Sequence, residues 1–180
     1  MTAANAYAAK LLDPTQGNVM YGNADRFSAF YVGAGSPASY DLSVDVNAAS
    51  PFNYDANFPL LTAEENWLIR AEVQFRTGDL ANALVSLNTA REIIGDKVGA
   101  TLTPFTTVTL KDIATEKYLA LIGQIEGFND VRRTDNLAGV PANRGTKIPE
   151  RFLYSQAEIG SNPNIPATRP DLFTPTTVNQ

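Results

Sequence analysis

Residues Thr62–Gly95 read TAEENWLIRAEVQFRTGDLANALVSLNTAREIIG, and this stretch decides the fold. It opens with a capping box, in which the Thr62 side chain accepts a backbone N–H and Glu65 reaches back to the cap. Apolar residues then recur at helical spacing up to Gly78, a residue type that commonly ends a helix. Asp79 can cap a second helix, which the glycine at the end of the stretch is expected to stop. The sequence therefore predicts two successive helices joined by a tight turn.

Small residues lie where the two predicted helices meet. Ala71, Ala83 and Ala90 would let the backbones approach closely, and with Gly78 they match the spacing of a tetratricopeptide hairpin. Trp67 falls on the same apolar face, so core packing is a better interpretation for it than a carbohydrate-stacking platform. Because an array normally needs about three repeats to bury its faces, we expect one tetratricopeptide-like hairpin rather than a solenoid.

A third helix is predicted to follow the hairpin. Thr109 can cap it, with Asp112 at the favourable third position. Its apolar stripe runs from the first turn to Ile125. Gly127 is expected to kink the helix before Phe128–Arg133.

The remaining segments lack sustained periodicity. Residues 1–58 are rich in Gly, Ser, Asn and aromatic residues, and they predict loops with one short helix near Asn5–Leu12. After Thr134 the chain is polar and rich in proline, which excludes long helices. We therefore predict a mostly α fold with long irregular N-terminal and C-terminal segments. Its parts are a loop-rich segment (1–58), a helical scaffold (59–134) and a wrapping tail (135–180), all within one domain.

Composition excludes several classes of function. The 180-residue chain contains no histidine and no cysteine, so a Ser-His-Asp triad, a cysteine nucleophile and a His or Cys metal site are all excluded. No cofactor is predicted. The net charge of −5 and a pI of about 4.7 argue against a nucleic-acid partner, which needs a basic face. No apolar run approaches the length of a membrane span, and no signal peptide or lipid-anchored cysteine is recognised.

Four sequence blocks in the C-terminal third occur in an ordered series. Thr115–Arg133 reads TEKYLALIGQIEGFNDVRR, and Ile148–Pro166 reads IPERFLYSQAEIGSNPNIP. The series EKY, E-x-F-N-D-x-R-R, IP-x-RFLY and NPN-x-P resembles the C-terminal signature of the SusD/RagB family, outer-membrane nutrient-binding lipoproteins of Bacteroidetes-type bacteria. The resemblance covers about Phe58 to Pro166. Ser155 departs from it, since the family usually has proline there.

The resemblance implies a role in binding and delivery rather than in catalysis. It implies a protein that binds an oligosaccharide or another small nutrient and delivers it to a SusC-like TonB-dependent transporter. It also implies a location on the outward face of the outer membrane, with a lipid anchor carried by a longer parent protein. An enzymatic role is not expected.

Two polar motifs are interpreted as structural. Glu126, Asp130, Arg132 and Arg133 have the helical spacing of ion pairs, and we expect them to pin the tail onto the third helix. In the second motif, Arg151–Tyr154, the alternating aromatic side chains are expected to lock into the helical scaffold.

The loop-rich segment holds the best candidates for ligand contacts. A sugar presents an apolar C–H face and a hydroxyl rim, so its site needs a flat aromatic ring beside polar partners. Only the loops are free to vary with the ligand, because the helical stripes and the tail are needed for packing. The candidates are Tyr21, Asn23, Asp25, Arg26, Tyr31 and Tyr40.

Two alternative functions remain open from the sequence. One is a tetratricopeptide-type protein–protein scaffold with no glycan site. The other is a carboxylate-only glycosidase, which requires two carboxylates roughly 5–9.5 Å apart in a cleft. Asp25, Asp41, Asp45 and Asp55 supply carboxylates, but their spacing carries no pairing signal.

Overall fold

The computed structural model describes residues 2–44, 51–57, 59–142 and 145–176. Within these ranges the protein is mostly α-helical, as the sequence predicts. The α-helices are α1 (Tyr7–Leu12), α2 (Ala24–Ser28), α3 (Ala63–Arg76), α4 (Leu80–Val98), α5 (Leu110–Ala120), α6 (Ile125–Arg133) and α7 (Gln156–Ser161). The short strands β1 (Tyr31–Val32) and β2 (Asp41–Leu42) pair antiparallel, with Tyr31 opposite Leu42. None of the helices in these ranges is both long and apolar enough to cross a membrane.

The predicted helical hairpin is confirmed as α3 and α4. The Thr62 side chain accepts from the Glu65 backbone N–H at 3.2 Å, and Asp79 caps α4 in the same way. Gly78 adopts φ +86°, a left-handed conformation that costs glycine little. Ala71 and Ala83 are fully buried, and α3 packs most extensively against α4.

Two details of this hairpin differ from the prediction. Glu65 does not complete the capping box, because its side chain is buried and its Oε2 has no hydrogen-bond partner. Gly95, at the end of the quoted stretch, does not stop α4. The helix continues to Val98 and ends at Gly99, which has φ +71°. Gly95 is needed instead for packing, since a Cβ there would collide with the Ala100 carbonyl oxygen.

The third predicted helix is divided in two. Thr109 and Asp112 form the reciprocal capping box of α5. The helix then ends at Ala120, and the break contains Gly123 with φ +84°. The predicted kink at Gly127 was therefore wrong, because this glycine is buried inside α6.

The loop-rich segment contains more structure than the sequence predicts. The predicted short helix is confirmed as α1, whereas α2 and the β1–β2 pair were not foreseen. Two apolar clusters form the core: one joins α1, α2 and the strands, and the other joins the hairpin to Phe105 and α5. Leu119 of α5 belongs to the first cluster and Ile113 of α5 to the second. Consequently α5 connects the loop-rich segment to the helical scaffold.

The tail departs from its predicted packing. Ser155 caps the short helix α7 by accepting from the Glu158 backbone N–H at 3.1 Å. Phe152 contacts Phe128 with ring centroids 4.9 Å apart, yet it remains 67% exposed. Tyr154 is also exposed. The expectation that both rings lock into the scaffold was wrong, because the extended segment lies along the surface.

Candidate functional site

Two of the candidate tyrosines are core residues. Tyr31 and Tyr40 are buried around Phe27, whose ring centroid lies 5.8 Å from that of Tyr31 and 5.4 Å from that of Tyr40. The antiparallel pairing of β1 with β2 positions Tyr31. Neither ring has a face open to a ligand in this structure, so neither supplies the stacking platform that the sequence predicts.

A buried carboxylate holds Tyr40 in place. The Tyr40 hydroxyl donates to Asp13 Oδ2 at 2.6 Å. The same carboxylate accepts from the Gly35 backbone N–H at 2.7 Å and from the Thr15 backbone N–H at 2.9 Å. Burial alone raises the pKa of Asp13, but these hydrogen bonds outweigh it and lower the pKa to about 2. The network ties α1 to the turn before β2, which is a structural role.

Three further candidates have local structural roles or lie apart from a site. Tyr21 packs against Phe105 with ring centroids 6.0 Å apart, and burial raises its pKa above the ordinary value. The Asn23 side chain caps α2 by accepting from a backbone N–H at 2.9 Å. Asp25 is exposed in the first turn of α2. The six candidates are therefore not brought together on one open surface.

Arg26 belongs to a buried charge cluster. Its side chain is 0% exposed, and its Nη2 lies 2.5 Å from Glu116 Oε1. Arg91 pairs with the other oxygen of Glu116 and donates to the Met20 carbonyl at 2.8 Å. Burial alone raises the pKa of Glu116, but the two guanidinium charges outweigh it and hold the pKa below its ordinary range.

Beside this cluster lies a cavity of about 410 Å³. It is bounded by α2, by residues 51–57, by Pro59 and by parts of α3, α4 and α5. Of the six sequence candidates, only Arg26 lines it. Apolar side chains cover much of its wall: Phe30, Pro51, Ile94, Leu119 and Ile122. Such a volume lies within the usual range for small-molecule sites, which are mostly apolar with a few placed polar groups.

Polar groups complete the cavity wall. Side-chain amides come from Asn53, Asn57 and Gln124. Lys97 Nζ contacts the two oxygens of Glu64 at 2.6 and 2.7 Å. Half of the Lys97 side chain is exposed, whereas Glu64 is buried. This wall can offer hydrogen bonds to a polar ligand beside apolar surface.

The predicted structural cluster is arranged around Asp130. The Asp130 carboxylate contacts Lys117 Nζ and Arg133 Nη2, both at 2.7 Å. Arg133 also binds Glu72 of α3 through two hydrogen bonds of 2.8 and 2.6 Å. Burial alone raises the pKa of Glu72, but hydrogen bonds from Arg133 and Arg76 outweigh it and lower the pKa to about 2. These contacts join α6 to α3 and α5.

The other two members of that cluster act separately. Arg132 lies over the Phe128 ring and donates to the Glu150 carbonyl at 2.5 Å, which ties α6 to the tail. Glu126 accepts from Asn129 at 3.2 Å on the exposed side of α6. Glu126 has no ion pair with an Arg or Lys among the described residues.

Sequence reasoning missed Arg91 and Glu116 as members of the site. A signal was present, because each lies within an otherwise apolar helical stripe. Arg91 follows Leu87 at i+4, and Glu116 follows Ile113 at i+3. A charged residue on a buried face needs an opposite charge, so the two could have been paired.

The carboxylates considered for a glycosidase lie on different parts of the chain, with Asp41 in β2. In the described ranges no group of three or more acidic residues could hold a metal ion. Asp25 and Asp55 are exposed on separate elements. Asp45 and Phe58 lie outside the described residues.

Comparisons with known proteins give no indication of the function. No protein-family model, curated protein or solved structure matches this chain.

Proposed function

We propose that this protein is a nutrient-binding component that captures a glycan and delivers it to a SusC-like TonB-dependent outer-membrane transporter. In this proposal it acts on the outward face of the outer membrane, as part of a lipid-anchored parent. The observation that carries the proposal is the cavity of about 410 Å³ between the loop-rich segment and the scaffold. The resemblance of the C-terminal blocks to the SusD/RagB signature supports the transporter partner.

The chemistry of the cavity wall supports a sugar-like ligand. The amides of Asn53, Asn57 and Gln124 can both donate and accept, as a rim of hydroxyl groups requires. Phe30 and Ile122 offer apolar surface for the C–H face of a sugar ring. The ligand contacts are therefore assigned to the cavity rather than to the buried tyrosines.

A glycan array probed with the full 180-residue chain tests this proposal. Ala56 is exposed at the cavity wall, so Ala56→Trp should block entry and abolish any binding detected on the array. Ala38→Trp is the matched control, because Ala38 is exposed outside the cavity. Equal loss in both variants, or no binding by the unmodified chain, would contradict the proposal. A TonB-dependent transporter gene directly upstream would support the delivery role.

A tetratricopeptide-type scaffold is the second candidate. The observation that favours it is the presence of exposed apolar side chains on the hairpin: Ile69 and Val73 on α3, and Val85 on α4. Peptide-library selection against the chain distinguishes the two. A selected peptide whose binding is lost in Val73→Asp but retained in Ala56→Trp would favour the scaffold.

A further inference from the structure

Arg26 is a fully buried arginine whose ion pair with Glu116 leaves nitrogen donors without acceptors. It lines the cavity, and its side chain is 0% exposed. Nη2 forms an ion pair with Glu116 Oε1 at 2.5 Å. Nε and Nη1 have no hydrogen-bond partner in the described structure. Guanidinium carries five donors, and buried donors without acceptors are rare and costly.

The charges around Arg26 do not balance. Glu116 faces two guanidinium groups, because Arg91 holds its other oxygen. At the rim, Lys97 is already neutralised by Glu64. Arg26, Glu64 and Lys97 are the charged residues among the described cavity lining. Two guanidinium groups thus share one carboxylate, which leaves one positive charge in excess among these residues, where low polarisability makes an incompletely paired charge costly.

We infer that the cavity takes a ligand carrying a carboxylate, which pairs with Arg26, and that the ligand class is acidic sugars such as uronic acids. This inference rests on the proposed function and specifies its substrate class. A planar guanidinium group pairs with a carboxylate through complementary geometry and opposite charge, and such pairs are stronger than hydrogen bonds between neutral groups. The amides and apolar side chains of the wall serve the remaining hydroxyl groups and the ring.

Access to Arg26 is part of the inference. Because its nitrogens are covered in this structure, the cavity lining must shift enough to admit one carboxylate oxygen. Residues 51–57 form one wall of the cavity and belong to no helix or strand. A segment outside helices and strands can move at lower cost than a helix.

Calorimetric titration of the full 180-residue chain tests the ligand class. The probes are glucuronate, galacturonate and mannuronate, each beside its neutral hexose. At low ionic strength at least one uronate should bind at least tenfold more tightly than its hexose, and added salt should narrow the difference. The uncharged methyl ester of that uronate should bind like the hexose. This arm removes the charge from the ligand, so it needs no protein variant.

A protein variant tests the assignment to Arg26. Arg26→Gln keeps polar character and removes the excess charge, so it should abolish the preference for uronate over hexose. Arg70→Gln, at an exposed position of α3 outside the cavity lining, should retain the preference. Circular dichroism checks that each variant is folded. If Arg26→Gln does not fold, the methyl-ester comparison decides the inference.

Four results would overturn the inference. They are equal binding of uronate and hexose, tighter binding of inorganic phosphate than of any uronate, a uronate preference that survives in folded Arg26→Gln, and no binding by either sugar set. The first leaves the proposed function standing, because sugars still bind. The glycan array with the Ala56→Trp variant decides the proposed function separately.

Discussion

Tyr40→Phe removes one hydroxyl from the core and should reveal whether this tyrosine serves structure or ligand. The hydroxyl donates to Asp13 Oδ2 at 2.6 Å, and both side chains are 0% exposed. The substitution keeps the ring and its contact with Phe27. Its expected effect is therefore the loss of one charge-assisted hydrogen bond from a buried carboxylate.

The structure sets the size and the pH range of this effect. A hydrogen bond to a buried charge contributes about 1.5–3 kcal/mol to the free energy of unfolding. The pKa of Asp13 falls from 3.8 to about 2, or about 2–3 kcal/mol at about 1.4 kcal/mol per unit. This net value includes the hydrogen bonds from Gly35 and Thr15 as well as the one from Tyr40. Because the folded-state pKa is the lower one, this stability is present above about pH 4 and is lost as the pH falls towards about 2.

Urea denaturation followed by the fluorescence of the sole tryptophan, Trp67, measures the change. At pH 7 Tyr40→Phe should lower the free energy of unfolding by about 2 kcal/mol. The difference from the unmodified chain should shrink between about pH 4 and pH 2. Tyr54→Phe is the matched control, because Tyr54 is 91% exposed, and it should change stability little. An unchanged midpoint for Tyr40→Phe, or lost ligand binding at full stability, would refute the reasoning.

Three further substitutions test the packing and the ion pairs. Ala83→Leu should destabilise the folded protein by about 1–3 kcal/mol, because the larger side chain overpacks the α3–α4 interface. Ala81→Leu, at an exposed position of α4, should not. Equal melting temperatures for the two variants would contradict close packing at Ala83. Arg133→Ala should lower the free energy of unfolding by only about 1 kcal/mol, because the Arg133 side chain is 44% exposed. Ligand affinity should not change. Loss of binding by a folded Arg133→Ala variant in calorimetry would contradict the structural role of Arg133. Gly95→Ala should destabilise the protein, because the added Cβ would clash with a backbone carbonyl. Gly160→Ala should instead stabilise α7 by up to about 1 kcal/mol, because the space around this glycine is open. Melting temperatures that shift in the same direction for both variants would contradict this account.

Helix starts were predictable because their signals are local. Thr62, Asp79 and Thr109 each accept a hydrogen bond from a backbone N–H three residues later. Everything needed for such a cap lies within one turn of the chain. The apolar periodicity of the α3–α4 hairpin is local in the same sense, so the mostly α fold could be predicted from the sequence.

Helix ends at glycine were less predictable, because the same residue serves two purposes. Gly99 adopts positive φ at the end of α4 and Gly123 does so in the break between α5 and α6, whereas Gly95 and Gly127 are buried inside helices. The deciding factor is what each glycine packs against, and that neighbour can come from another part of the chain.

The candidate site was decided by tertiary structure. Tyr40 and Arg26 belong to the loop-rich segment, where sequence reasoning predicts surface contacts. They are buried because Asp13, 27 residues from Tyr40, and Glu116, 90 residues from Arg26, supply their partners. The sequence by itself determined the helical scaffold and excluded histidine and cysteine chemistry. Only the tertiary structure decided which polar residues meet and where a cavity remains, because burial depends on contacts between residues far apart in the chain.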